Sequence, residues 1–425
     1  MESTKNKDLK KIPVRQLRLG MYLHEICGSW MDHPFLNTRF LLKDPADVDK
    51  IRNSAIVAVW IDTARGAEPQ SKETKGEPVD VFDAGETARP IEVLAGASSL
   101  QATVDLEEEI ARAAAICGQA KEAVTNMFRE ARMGKAVAAE EFEPLVAEIS
   151  GSVMRNPGAL VSLARLKDKD DYTYLHSVAV CGLMVALARQ LQFDEPQARE
   201  AGLAGLLHDI GKAAVPLEIL NKPGKLTNTE FETIKSHPRR GQEMLLEGGY
   251  VGEVPLDVCL HHHEKITGRG YPDGLDAADL SLYAKMGAVC DVYDAITSDR
   301  PYKNGWDPAT AIRKMNEWQD GHFDETVFQA FVKTVGIYPV GSLVRLDSSV
   351  LAVVNEVSND TLLAPVVKTF YCTRRNVRLP PRVVDLAASD QRVIAWESPA
   401  NWNFPDLEEM WSGIDQHGAR QADTA

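Results

Sequence analysis

The chain has no surplus of basic charge. Its 47 Lys and Arg face 62 Asp and Glu over 425 residues, a formal charge of −15. A general nucleic-acid binder needs basic surface to replace phosphate counterions, so no nucleic-acid partner is expected. An anionic small ligand stays compatible, since a local cluster of cations can oppose the global sign. Long apolar runs are missing as well. The longest, Val178 to Ala188, falls short of the about 20 residues that cross a bilayer, so no membrane span is expected. The opening MESTKNKDLKK is polar and lysine-rich, which predicts no secretory signal. Cysteines are few: Cys27, Cys117, Cys181, Cys259, Cys290 and Cys372 stand apart without a CxxC pair. That argues against a disulfide framework or zinc knuckle and predicts a reduced, cytoplasmic chain. No internal repeat is visible.

What is there is an ordinary soluble composition, 44% hydrophobic and 26% charged. At about 150 residues per domain there is room for roughly three domains. The fold class expected is mainly α, with a small α+β N-terminal domain and a short β appendage near the C-terminus. Residues 1–66 mix helix and strand signals: Asp44-Pro45 suits a helix start, and Ala55 to Ile61 is a β-branched run. Met21, Trp30 and Trp60 read as core of this domain, which shows no ligand chemistry. Residues 67–100, rich in Pro, Gly, Ala, Glu and Thr, read as a flexible linker. A helical connector follows over 101–155. There Ile110, Cys117 and Val124 recur every seven residues, each followed three positions on by Ala113, Ala120 or Met127. A dimerising coiled coil and a helix packed on its own domain both fit; the small core residues favour the second. Residues 156–340 read as a helical domain, 341–400 as the β appendage with a hairpin around Asp347-Ser348-Ser349, and 401–425 as a flexible tail.

The chemistry concentrates in the helical domain. Six of ten histidines, His176, His208, His237, His261, His262 and His263, fall between residues 176 and 263, beside Asp209 in LLHDIGK and Asp291 and Asp294 in CDVYDAITSDRPYK. One histidine on an apolar helix is usually a hydrogen-bonded core residue. A set of this size with carboxylates points to borderline metals such as iron, manganese, cobalt or zinc, and suffices for two ions. Such a pair lowers the pKa of a bridging water and clamps the oxygens of an in-line phosphoryl displacement.

HDIGK, KPGKLT, HHE, GRGYP and DVYDAITSDRPYK, in this order, strongly resemble the HD-GYP family, bacterial cyclic di-GMP phosphodiesterases within the HD superfamily of metal-dependent phosphohydrolases. The first 66 residues, with LRLGMYL, SWMDHPF and VWIDT, resemble the uncharacterised domain DUF3391 that often precedes HD-GYP domains. The resemblance implies an all-helical HD-type domain with two divalent ions, iron or manganese, held by His176, His208, Asp209, His237, His262, His263 and Asp291. It implies that Lys212 contacts phosphate and assists the leaving oxygen, with Asp209 the second catalytic residue. Arg300 and Lys303 would hold the phosphates of the ligand. Gly270 and Tyr271 would shape the site, Arg269 adding a cation near phosphate. Lys222, Gly224 and Lys225 form a basic turn that suits either the substrate groove or plain surface. Glu264 and Asp294 are expected to orient histidines or the loop.

Two departures from the family pattern stand out. Members that bind a third metal carry a glutamate one turn before the first histidine; here Tyr172 occupies it, which predicts a two-metal site. Thr267 and Arg269 replace the aspartate and serine of the usual DGSGYP, which puts a loop-bracing interaction in question. The implied activity is hydrolysis of cyclic di-GMP to pGpG and/or GMP by a metal-bridging hydroxide, lowering the cellular dinucleotide and favouring motility over biofilm. Its rivals are a non-catalytic cyclic di-GMP receptor or adaptor and an HD phosphohydrolase for another nucleotide. The resemblance also implies contact of the GYP loop with GGDEF diguanylate cyclases; a homodimer is left open.

Overall fold

The computed structural model describes residues 9–13, 16–27, 40–45, 48, 51, 58–67, 104, 106–165, 172–222, 224, 226–250, 252–298, 305–358 and 362–413. Its contacts divide into two compact units, Met1–Arg89 with Val215–Lys235, and Pro90–Ala214 with Ser236–Ala425. Among the described residues no helix is long and apolar enough to cross a membrane.

The first unit holds an antiparallel sheet of β1 (Leu9–Pro13), β2 (Tyr22–Cys27), β3 (Phe40–Leu41) and β4 (Ala58–Asp62) in the order β1-β4-β2-β3. Its core gathers Leu17, Met21, Leu23, Leu42, Ile51, Val59 and Ile61, all shielded from solvent. Met21 is core, as its sequence context suggests; Trp30 and the linker at 68–100 lie outside the described residues. Two short helices, Leu217–Leu220 and Asn228–Lys235, belong to this unit.

The second unit is built from α1 (Leu106–Arg132), α2 (Glu143–Arg155), α3 (Pro157–Arg165), α4 (Tyr172–Gln190), α5 (Glu195–Leu207), α6 (His237–Glu247), α7 (Glu253–His261), α8 (Leu282–Thr297), α9 (Pro308–His322) and α10 (Glu325–Val335). A 3-10 turn, Ile210–Ala214, follows α5. The Val178–Ala188 run lies in α4 and is buried on every side, as expected of a helix apolar all round. It packs closely on α5 because Gly205 has no side chain there: a Cβ would come within 2.9 Å of the Val180 carbonyl oxygen and of Met184. Start signals are written locally. Asp194 and Gln197 form a capping box on α5, and Ser281, Asp307 and Asp324 each accept a backbone N–H at the start of α8, α9 and α10. α1 buries Ile110, Ala113, Ala120, Val124, Met127 and Phe128 in the core of its own unit, the packed-helix alternative to a coiled coil.

Five antiparallel strands follow: β5 (Leu343–Leu346), β6 (Val350–Glu356), β7 (Val366–Cys372), β8 (Val377–Asp385) and β9 (Val393–Trp396), ordered β8-β7-β6-β5-β9. β5 and β6 form the hairpin read around Asp347. Successive residues of β6 face opposite ways: Leu351 and Val353 join the helical core, Ala352 and Val354 a second cluster with Val344 and Val367. The tail reading of residues 401–425 does not hold for residues 401–413. α11 (Leu407–Ser412) buries Leu407 and Trp411 in the main core, because β6 and β7 offer an apolar face that a polar-looking segment can cover. Residues 414–425 lie outside the described residues.

Candidate metal centre

Helix ends and turns deliver the site. His176 lies in the second turn of α4, His208 caps α5, and Asp209 follows before the 3-10 turn that carries Lys212. His237 opens α6, His262 caps α7 with His263 behind it, and Asp291 sits midway along α8. The segments meet because Gly211 permits it: a Cβ there would stand 1.9 Å from the His237 carbonyl oxygen. All seven residues proposed from sequence as metal ligands converge, none more than 4% exposed.

The ring nitrogens are sorted by their backbone partners. His208 Nδ1 donates to the Gly205 carbonyl at 2.7 Å, and His262 Nδ1 donates to the Val258 and Cys259 carbonyls at 3.0 and 3.1 Å. In both rings the Nε2 lone pair is turned inward. His176 Nδ1 lies 2.6 Å from Asp294 Oδ2, and its Nε2 lies 3.0 Å from Asp291 Oδ1 and 3.5 Å from Asp209 Oδ2. His237 Nε2 is 3.2 Å from both Asp209 Oδ1 and His262 Nε2. Two donor groups result, each with its ligand atoms within 4.8 Å of one another: His176, His208 and Asp209; and Asp209, His237, His262 and His263. Asp209 belongs to both.

Charge and burial agree with cation binding. Burial opposes the charge on Asp209, yet Lys212 and His208 beside it hold its carboxyl well below the usual carboxylate range. Burial likewise opposes Asp291, and the hydrogen bond from His176 overrides it downward. His262 is pushed down to about 3 by burial and by His208 and His237. Burial also holds His263 far down, so these rings present lone pairs rather than protons. Four buried atoms here, His208 Nε2, Asp209 Oδ1, His263 Nδ1 and Asp291 Oδ2, have no hydrogen-bond partner among the described residues. Unpaired inward donors of mixed nitrogen and oxygen fit borderline divalent ions.

Around this centre, Lys212 Nζ pairs with Asp209 Oδ2 and keeps 20% of its side chain exposed. Gly270 lies against the Glu264–Lys265 peptide, where a Cβ would come within 2.3 Å of Glu264 Cα. That approach sets the Tyr271 ring on His263, centroids 4.7 Å apart. Glu264 accepts the Asp273 and Gly274 N–H groups at 2.7 and 2.8 Å, orienting the loop rather than a histidine. Thr267, which replaces the motif aspartate, braces the loop differently: its hydroxyl donates to the Gly321 carbonyl at 3.0 Å. Arg269 is exposed, and Lys222 is engaged by Glu230 at 2.7 Å. Arg300, Lys303 and Lys225 lie outside the described residues. Sequence reasoning missed Asp273, which meets Arg239 at 2.5 Å and His261 at 3.4 Å; its place directly after the GYP triplet was the available signal.

Comparison with known proteins agrees with this geometry. Residues 9–142 match the model of a domain of unknown function, DUF3391, and residues 156–327 match the HD domain. A Pseudomonas aeruginosa protein named a cyclic di-GMP phosphodiesterase is 55% identical over 96% of both chains. A Xanthomonas campestris cyclic di-GMP phosphodiesterase response regulator is 39% identical over 36% of this chain and 40% of its own. A 3′3′-cGAMP-specific phosphodiesterase of Vibrio cholerae is 34% identical over 39% of this chain and 38% of its own. The full-length similarity and the convergent His and Asp side chains have one reading: the chain belongs to the HD-GYP family, its HD domain preceded by a DUF3391 domain.

Proposed function

We propose that this chain is a metal-dependent phosphodiesterase that hydrolyses cyclic di-GMP to pGpG and/or GMP. The observation that carries the reading is the pair of buried donor groups sharing Asp209, with Lys212 at their margin. His176, His208, Asp209, His237, His262, His263 and Asp291 would hold two divalent ions, iron or manganese. When bound, such ions activate water near neutral pH and neutralise phosphate charge. The residues of the chain supply the rest. Asp209 offers one carboxylate to both groups. Asp294 fixes the His176 ring by accepting from Nδ1. Lys212, partly exposed, is suited to reach a phosphate oxygen and to give a proton to the departing 3′ oxygen. Tyr271, its ring tilted against His263, offers a ring face to a base, and Arg300, Lys303 and Arg269 supply cations for the two phosphates.

The 55% identity to a full-length phosphodiesterase supports cyclic di-GMP as substrate. The similarity to a 3′3′-cGAMP enzyme makes that dinucleotide the alternative to compare directly. GGDEF cyclases contacting the GYP loop, and a homodimer, complete the proposal for partners. The test is anaerobic turnover of both dinucleotides by chain loaded with iron or manganese, with metal counted and products resolved. Faster hydrolysis of cyclic di-GMP with two metals per chain supports the reading. Tight binding without turnover under either metal refutes it in favour of a receptor.

A further inference from the structure

We propose that the last turn of α1 positions Lys212: Arg132 holds the lysine's backbone carbonyl while Phe128, one turn earlier, packs on the helix that carries His176. The inference rests on the reading of Lys212 as the residue serving the phosphodiester. Arg132 Nη2 donates to the Lys212 carbonyl oxygen at 3.3 Å. Phe128 meets Tyr174 edge-to-face, centroids 5.8 Å apart, two residues before His176. Residues four apart share one helix face, so a single face of α1 touches both the turn bearing Lys212 and α4.

The Lys212 turn has packing partners on two sides. Gly211 lies against α6 at the His237 carbonyl, and the Lys212 N–H donates to the Asp209 carbonyl at 2.9 Å. Opposite, Ile210 and Ala213 share a core cluster with Val124, Met127, Phe128 and Ala131 of α1. That apolar contact sets how far the turn stands from the helix. Only Arg132 reaches, by a hydrogen bond among those described between α1 and the turn, the carbonyl of Lys212 itself. Its guanidinium is exposed, so the contact adds little to global stability. Its effect falls on geometry, where a misplacement of about 1 Å can cost on the order of a hundredfold in rate. Arg132 is on this account a positioning residue acting through Lys212, and α1 is the element by which a displacement upstream would reach the catalytic turn.

The test uses the full chain loaded with manganese and assayed on cyclic di-GMP. Arg132→Ala, Arg132→Lys, Lys212→Ala and the Arg132→Ala/Lys212→Ala double variant are compared, with Glu122→Gln on the exposed side of α1 as control. Arg132→Ala is expected to lower kcat about tenfold with KM within about twofold. Metal content should stay at the wild-type value, and Arg132→Lys should recover most of the rate. The double variant should be no slower than Lys212→Ala alone, because a group acting through a missing residue has nothing left to position. Wild-type kcat in Arg132→Ala, loss of metal in it, or a double variant slower by the full Arg132 factor overturns the inference. Should Lys212→Ala itself turn over like wild type, the role of the lysine fails, and that arm alone identifies the cause.

Discussion

His176 and Asp294 meet at 2.6 Å between Nδ1 and Oδ2, which turns the other ring nitrogen toward Asp291 and Asp209. Asp294 lies three residues after Asp291, so α8 supplies one carboxylate to the centre and another to the ring facing it. Replacing Asp294 by Ala removes the partner that sets both the tautomer and the aim of His176. Manganese affinity or activity should fall about 10- to 100-fold, read from activity against free manganese. Asp294→Asn, which keeps an oxygen acceptor, should fall less. Equal manganese dependence in wild type and Asp294→Ala would remove the orienting role.

Gly211→Ala tests the close approach that assembles the site. The added methyl would stand 1.9 Å from the His237 carbonyl oxygen and 2.5 Å from the Gly241 nitrogen. Backbone on both sides cannot yield without moving His237 or Asp209. A loss of about 1–3 kcal/mol is expected, together with reduced metal content. Thermal melting and metal analysis of one preparation check it, and a variant as stable and as metal-rich as wild type contradicts it.

Glu264 separates loop placement from metal binding. Its Oε1 accepts two loop N–H groups, and a glutamine keeps that acceptor. Glu264→Gln should stay within about threefold of wild type, whereas Glu264→Ala, leaving two donors unmatched, should raise KM about tenfold. Metal content should not change in either. If Ala and Gln behave alike, the hydrogen bonds to the loop are not what Glu264 provides.

Acid stability should report on α1. Glu109 is fully buried and receives Arg155 Nε and Nη2 at 2.7 and 2.8 Å. Burial opposes its charge, but Arg155 lowers its pKa below the ordinary 4.5. A carboxyl lowered in the folded state contributes stability that is complete above its unfolded pKa and disappears as pH falls through the folded one. Glu109→Gln should therefore cost about 2 kcal/mol near neutral pH and progressively less in acid. Melting curves from pH 7 to pH 3 measure the gap; one that widened in acid would reverse the sign.

The sequence announced the centre better than the strands. Histidines and aspartates paired in motifs point to a metal wherever they occur, and the longest apolar run could only be a buried helix. The hairpin around Asp347 was legible from alternation and a turn. β8 was not, because its Pro380-Pro381 pair argues against a strand. It forms at the edge of the sheet, where its pairing with β7 skips from Arg382 to Arg378 and leaves both prolines out of the register. α11 was hidden for a related reason: Leu407 and Trp411 become core only once β6 and β7 present a face to cover.

By itself, then, the sequence determined the donor types, their order, the helical class of the domain that bears them and the glycines that let segments meet. Chain contacts decided the rest. That Asp209 belongs to two donor groups, that Thr267 braces the loop through Gly321, and that Arg132 reaches Lys212 across 80 positions are facts of distance between segments remote in the chain. Local patterns carry periodicity and capping but no such distances, which exist only after the apolar faces of α1, α4 and α5 have packed.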